Sequence, residues 1–189
     1  MKMAAEQISE NVWKVNADSN IFIIRLKNLV IIDAGNAAYK DQIIKDINSI
    51  IDPSEVEAVI FTHLHYDHIG CFDLFSNARF YASKQEIKNL RDNALGTVLE
   101  PALAARISKM KLDDITGLGI SEFEVINSPG HTAGSICIRY GNILFTGDTK
   151  FQNGYGRTDL PTSVPEKMDE TLEMIEGIEY DILCPGHDY

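Results

Sequence analysis

Residues 62–68 read Thr62-His63-Leu64-His65-Tyr66-Asp67-His68 and follow directly on the apolar run of residues 56–61. Three of the five histidines in the chain lie in this stretch. Neutral imidazole is the commonest metal ligand in proteins near neutral pH. His63 and His65 are two positions apart, so an extended loop can direct both side chains to the same side. The stretch therefore predicts a metal site at the end of a strand.

The other two histidines lie in similar turns that contain glycine. They are found in Pro129-Gly130-His131-Thr132 and in Pro185-Gly186-His187-Asp188. Each turn follows a short apolar run, and so does the pair Gly147-Asp148; the runs cover residues 123–126, 143–145 and 181–184. Ligands in open α/β sheets bind outside the carboxyl ends of strands. The recurrence predicts four strand ends that converge on one site.

The rest of the chain alternates between strand and helix patterns. Apolar or alternating runs at 11–15, 20–26 and 29–32 predict strands, and helical spacing over 39–51 predicts a helix that Asp52-Pro53 ends. Residues 83–115 are expected to be mainly helical, as either a covering layer or a lid within 83–120. Ser163 is predicted to cap a later helix, with Glu166 three residues beyond it.

Composition narrows the possible classes of protein. With 189 residues and no Pro- or Ser-rich linker, residues 1–189 are expected to form a single domain. The net charge of -11 disfavours binding to nucleic acid. The segment Met1 to Gln7 lacks the apolar stretch of a signal peptide, and no apolar run has the length of a membrane span. Three widely spaced cysteines without a C-x-x-C pair indicate reduced thiols in a cytoplasmic protein.

Taken together, these motifs resemble those of the metallo-β-lactamase fold superfamily. The matching pieces occur in the family's order: Asp33-Ala34-Gly35, residues 62–70, residues 129–135, residues 145–149 and Pro185-Gly186-His187. The resemblance implies an α/β fold, a four-layer αβ/βα sandwich in which two mixed β-sheets pack face to face with helices outside. The metal site is then expected at one edge of the sandwich.

The resemblance also implies a set of ligands for two divalent metal ions. The first ion would be held by His63, His65 and His131, the second by Asp67, His68 and His187, with Asp148 between them. Three imidazoles and a carboxylate suit zinc best, with iron or manganese as alternatives. Asp67 is also expected to act in catalysis by orienting the attacking water. Asp33 is expected to orient one of the histidines through a hydrogen bond, although a simple turn role is an open alternative.

The segments Phe145-Thr146-Gly147-Asp148-Thr149-Lys150-Phe151 and Gly154-Tyr155-Gly156-Arg157-Thr158-Asp159 are similar to those of hydroxyacylglutathione hydrolases (glyoxalase II). The resemblance implies a binuclear metallohydrolase that cleaves a thioester, ester or lactone. A good leaving group is favoured because no obvious general acid accompanies the ligands.

Candidate contacts to a small-molecule substrate are Tyr66, Lys150, Tyr155 and Arg157. For Arg157 an ion pair with Asp159 is the alternative, and packing or exposed roles are alternatives for the two tyrosines.

Two other functions stay open at this point. Persulfide dioxygenases share these motifs but use one iron, for which His63, His131 and Asp148 would be the ligands here. A binding module without catalysis is the other alternative. The pattern does not define the substrate, the native metal or the oligomeric state.

Overall fold

The computed structural model describes residues 5–188, which contain eleven strands, six α-helices and five short 3₁₀ helices. The strands are β1 (Ala5–Ser9), β2 (Val12–Ala17), β3 (Ser19–Arg25), β4 (Leu29–Ile32), β5 (Val56–Ile60), β6 (Arg79–Ala82), β7 (Leu112–Asp114), β8 (Phe123–Asn127), β9 (Ile136–Tyr140), β10 (Ile143–Gly147) and β11 (Ile182–Pro185). The helices are α1 (Lys40–Asn48), α2 (Tyr66–Ile69), α3 (Lys84–Asp92), α4 (Ala94–Val98), α5 (Pro101–Ile107) and α6 (Met168–Glu176). The 3₁₀ helices cover Ala37–Tyr39, Pro53–Glu55, Phe72–Leu74, Ile115–Gly117 and Pro165–Lys167.

The strands form two mixed sheets. In the seven-stranded sheet the order is β1 to β7, with antiparallel pairs up to β4 and parallel pairs from β4 to β7. In the four-stranded sheet the order is β11-β10-β9-β8, and only the β10–β11 pair is parallel. Strands β8, β10 and β11 therefore run in the same direction, so their carboxyl ends share one edge.

The two sheets pack face to face over an apolar core. Phe22 of β3 meets Phe145 of β10 edge to face at 5.0 Å between ring centroids, within a buried cluster from both sheets. On the outer face of the large sheet, Ile43 and Ile47 of α1 join a second buried cluster with residues of α3 to α5. On the outer face of the small sheet, Ile175 of α6 packs on β9 and β10. The four-layer α/β sandwich predicted from the sequence is confirmed.

Several local predictions need correction. Residues 83–115 are not one helical stretch: three helices are followed by strand β7, and Leu99 adopts a left-handed conformation with φ 66° between α4 and α5. The sequence patterns do not predict strands β1, β6 and β9. Ser163 does not cap the last helical segment, whose N-cap is Val164, because its hydroxyl donates to the carbonyl of His131.

Other expectations can be compared directly with the described residues. The three cysteines are buried and unpaired. Among residues 5–188 no helix combines the length and the apolar character required to cross a bilayer. Of the N-terminal segment examined for a signal peptide, residues 1–4 lie outside the described part of the chain.

Candidate metal centre

Five strand ends deliver polar side chains to one edge of the sandwich. In the large sheet Asp33 follows β4, and the stretch His63 to His68 follows β5 and includes the start of α2. In the small sheet His131 follows β8, Asp148 follows β10 and His187 follows β11. All five histidines are at most 3 % exposed. The edge thus gathers side chains that are far apart in sequence, as the motif positions predicted.

Three histidines form the first group. His131 Nε2 lies 3.2 Å from His63 Nε2 and 2.9 Å from His65 Nδ1. Nitrogen ligands arranged tetrahedrally at about 2.1 Å from a zinc ion are about 3.4 Å apart. The three nitrogens are therefore spaced closely enough to share one ion, and we call this set the histidine trio.

The second group contains one aspartate and two histidines. His187 Nε2 lies 3.3 Å from His68 Nε2 and 3.3 Å from Asp67 Oδ2. The three potential ligand atoms are all within 4.8 Å of one another. We call this set, which is Asp67, His68 and His187, the mixed group.

Asp148 joins the two groups through its two oxygens. Oδ1 lies 3.1 Å from His68 Nε2 and 3.5 Å from His187 Nε2, whereas Oδ2 lies 3.5 Å from His131 Nε2. Gly186 makes this approach possible, because a Cβ at that position would collide with Asp148 Oδ1. A carboxylate in this position can bridge two metal ions.

Hydrogen bonds on the outer side of the rings determine which nitrogen points inward. His131 Nδ1 donates to the carbonyl of Arg157 (2.7 Å), and His187 Nδ1 donates to the carbonyl of Asp18 (3.0 Å). A carbonyl oxygen only accepts, so Nε2 of each neutral ring carries an unprotonated lone pair. The protein backbone thereby presents both rings as ligands.

Asp33 orients the rings of His68 and His63 through hydrogen bonds. Its Oδ2 accepts from His68 Nδ1 (2.8 Å) and from the hydroxyl of Thr62 (2.8 Å). Because the Thr62 hydroxyl donates to Asp33, it is an acceptor for His63 Nδ1 at 3.1 Å. Asp33 therefore contacts His68 directly and reaches His63 through Thr62.

These contacts provide a test of whether a metal ion fits the site. The lone pairs of His63 Nε2 and His131 Nε2 face each other at 3.2 Å, which is repulsive unless a cation lies between them. Asp148 Oδ1 is buried and makes no hydrogen bond of acceptable geometry. Buried polar atoms are almost always satisfied, and an oxygen left over among imidazole nitrogens suits a metal ion. The donor set therefore fits two divalent cations.

The two groups differ in their electrostatics. Burial lowers the pKa of His63 well below its usual value, and lowers that of His65 to about 3. Burial also opposes charge on His68, but the carboxylates of Asp148 and Asp33 raise its pKa well above the usual value. For His187 burial is likewise outweighed, and the neighbouring carboxylates raise the pKa to about 9. The trio is thus neutral, whereas the mixed group attracts positive charge.

An open cavity of about 420 Å³ leads to both groups. Tyr66 and Tyr155 line it and are 38 % and 50 % exposed. Arg157 lies at its rim, but the guanidinium pairs with Asp159 at 2.9 Å, and only the Arg157 carbonyl reaches a histidine. Lys150 is not among the residues that line the cavity. The geometry brings the two tyrosines to the site and leaves Lys150 outside it.

Sequence reasoning missed Thr62, whose role depends on a hydroxyl contact with Asp33, 29 positions away. It also missed the carbonyl of Asp18, which accepts from the ring of His187, 169 positions away. A backbone carbonyl is present in every residue, so the residue type at position 18 does not indicate this contact. Asp18 itself has a left-handed backbone conformation, with φ 72°.

The model of the metallo-β-lactamase superfamily matches residues 17–187. The chain belongs to this superfamily, as the resemblance of its motifs suggested.

Curated relatives are named as hydrolases. A probable metallo-hydrolase of Methanocaldococcus jannaschii is 31% identical over 186 residues, which cover 89% of this chain and 87% of the relative. A hydroxyacylglutathione hydrolase of Enterobacter is 32% identical over 165 residues, which cover 85% of this chain. The match spans 57% of that longer enzyme. Membership of the superfamily and these relatives identify a metallo-hydrolase type of enzyme.

Solved structures share the fold. A subclass B3 metallo-β-lactamase of Bradyrhizobium japonicum superposes with a TM-score of 0.74 at 17% identity, over 98% of this chain and 78% of that one. A protein crystallised in a di-iron-bound form gives 0.71 at 22% identity, over 93% and 91% of the two chains. At these identities the likeness supports the sandwich fold alone.

Proposed function

We propose that this protein is a binuclear metal-dependent hydrolase that cleaves acyl thioesters, or related esters and lactones. The observation that carries the proposal is that Asp148 directs one oxygen to each of two complete ligand groups at the wall of an open cavity. A single-metal enzyme needs only one such group. The mixed group is thus the position that a binuclear enzyme fills and that a mononuclear enzyme leaves without an ion.

In this proposal the histidine trio binds the first ion and the mixed group binds the second, with Asp148 between them. Zinc fits the nitrogen-rich set best, and a curated relative from Bacillus subtilis, 31% identical over 143 residues, is named a probable zinc-dependent hydrolase. Iron is the main alternative, since imidazole and carboxylate suit it as well.

Bound metal ions of this kind lower the pKa of water toward neutrality and polarise a carbonyl oxygen. The protein side chains hold the ions, orient the water molecule and offset the positive charge. Asp67 lines the cavity with one carboxylate oxygen 3.3 Å from His187, so it can both bind metal and orient a water molecule. Asp148 and Asp67 together offset the charge of the ions in a buried site.

The cavity supports a substrate with an uncharged acyl group. Besides the ligands, its wall includes Leu99, Phe151, Tyr155 and Leu160, and the Arg157 guanidinium at the rim is already paired. Among the described residues that line the cavity, none outside the two ligand groups is an unpaired cation that could protonate an amine leaving group, whereas a thiolate leaves without protonation. We therefore rank thioesters first. Tyr66 and Tyr155 are the proposed substrate contacts.

The test combines metal analysis of the purified protein with a panel of substrates that share one acyl group. The panel is a thioester, an oxygen ester, a lactone and an amide, and oxygen uptake with a persulfide is measured in parallel. We expect two metal ions per chain and rates that fall from thioester to ester to amide. One iron per chain with persulfide-dependent oxygen consumption would instead establish a dioxygenase and overturn the proposal.

A further inference from the structure

Glu86, on the first turn of α3, is a fully buried carboxylate outside the two ligand groups. The groups that contact it are all uncharged donors: the Leu64 amide, the Thr132 hydroxyl, the Asn89 side chain and the Gly134 amide. A buried carboxylate usually has a cation as its partner, because burial of an isolated charge is costly. The burial of this carboxylate without a cationic partner therefore suggests a functional role.

Its two oxygens hold two different ligand loops. Oε2 accepts from the amide of Leu64 at 3.0 Å, and Leu64 is the residue between His63 and His65. Oε1 accepts from the hydroxyl of Thr132 at 2.8 Å, and Thr132 directly follows His131. One carboxylate thus connects the two loops that carry the entire histidine trio.

The start of α3 is fitted closely to the second of these loops. The Ser83 hydroxyl donates to the Gly134 carbonyl at 2.6 Å and accepts from the Glu86 amide at 3.1 Å. A Cβ at Gly134 would lie 2.5 Å from the Glu86 amide nitrogen and 2.7 Å from Oε1, so only glycine permits this approach. The position of Glu86 against the loop is therefore well defined.

We infer that Glu86 is a positioning residue for the first metal ion, holding the histidine trio in its converging geometry and placing a negative charge behind it. The inference rests on the metal assignment proposed above but not on the substrate. Outer partners of metal ligands typically contribute 10–100-fold to metal affinity.

Electrostatics explain why a charged group is used here. Burial raises the pKa of Glu86, so ionisation of this side chain costs more free energy in the metal-free protein than it does in water. A cation at the trio favours the ionised form, and ionised Glu86 in turn favours the cation. A neutral side chain of the same shape lacks this coupling.

The test measures zinc affinity by competition with a chromogenic chelator in two backgrounds. His187→Ala removes a ligand of the mixed group, so the remaining tight site reports the trio, and His131→Ala reports the mixed group in the same way. We expect Glu86→Gln to weaken zinc binding about 10–100-fold in the first background and to leave it unchanged in the second. Asp46→Asn, which alters a buried carboxylate of α1, is the matched control and should change neither.

Equal weakening in both backgrounds, or no weakening in either, would overturn the inference. If Glu86→Gln does not fold, Thr132→Val removes one of the hydrogen bonds to Glu86, together with the contacts of the same hydroxyl to Ser135 and to the Gly134 amide. It should give a smaller loss confined to the first background; no loss would again overturn the inference. A His187→Ala protein that binds no zinc contradicts the metal assignment as well. A protein that binds two ions but leaves thioesters intact contradicts only the proposed function.

Discussion

The histidine trio and the mixed group lie side by side, yet they are built on different principles. The trio consists of neutral rings, and burial lowers the pKa of each of them. In the mixed group the carboxylates around His68 and His187 raise the pKa of both rings. At the first position, metal binding is expected to depend mainly on how the neutral rings are oriented. At the second position, it is expected to depend mainly on the negative charge of the carboxylates.

The outer hydrogen bonds differ at one ring. His131 in the trio and His187 in the mixed group both bond backbone carbonyls, whereas His68 in the mixed group bonds the carboxylate of Asp33. A carboxylate makes the opposite nitrogen of the ring a stronger donor to a metal ion. We therefore expect the two positions to respond differently to mutation, and the predictions below test that expectation in order of effect.

The largest effect is expected for Asp148→Ala, since the two oxygens of Asp148 reach ligands of both groups. Its removal should deplete both metal ions and abolish turnover, a loss well beyond the roughly 10–100-fold typical of outer partners. Metal content and initial rates measure the outcome. Asp181→Ala, at an exposed aspartate bonded to Asn142, should retain both ions. A variant that keeps either ion at full occupancy would show that Asp148 is not shared.

The next effect separates the two positions. His131→Ala and His187→Ala should each bind one ion per chain instead of two and should each lose most activity, because each removes one ligand of a three-residue group. Metal analysis after dialysis against a weak chelator gives the stoichiometry. Activity that survives unchanged in His187→Ala would contradict a mechanism with two metal ions.

A smaller and more selective effect is expected for Asp33→Asn. A neutral amide has one acceptor oxygen and no charge, so it cannot serve both His68 and the Thr62 amide as the carboxylate does, and zinc affinity at the second position should fall about 10–100-fold. Asp18→Asn is the matched control: Asp18 also has a positive φ, but it contacts His187 through its carbonyl, which asparagine retains. Equal losses in the two variants would exclude a specific role for the Asp33 carboxylate.

The residues with the largest expected effects are also the ones that the sequence indicates. Candidate ligands such as His63 and Asp148 follow strand ends within short motifs, so residue type and spacing single them out locally and point to the fold as well. Glu86 has no such signal, because its partners lie 22 and 46 positions away and its own surroundings suggest an ordinary amphipathic helix.

Smaller errors have similar causes. β1 is an edge strand in which Glu6 and Gln7 are both exposed, and such a segment shows no apolar run. Ser163 has the position of a helix cap, but the carbonyl of His131 is its acceptor in the folded chain. Local propensity is overridden where a tertiary partner offers a better hydrogen bond.

The smallest predicted effect concerns stability against pH in the metal-free protein. Burial raises the folded pKa of Glu86 above the usual 4.5, and the groups that contact it are uncharged. The stabilisation that protonated Glu86 provides is therefore complete below pH 4.5 and is lost as the pH rises through the folded value. Glutamine does not titrate, so the unfolding free energy of the wild type relative to Glu86→Gln should fall as the pH increases above 4.5. Urea unfolding of both proteins in chelator measures this difference. With zinc bound, the decrease in unfolding free energy should be smaller, because the cation at the trio favours the ionised carboxylate. An equal decrease with and without zinc would show that Glu86 is not coupled to the first metal position.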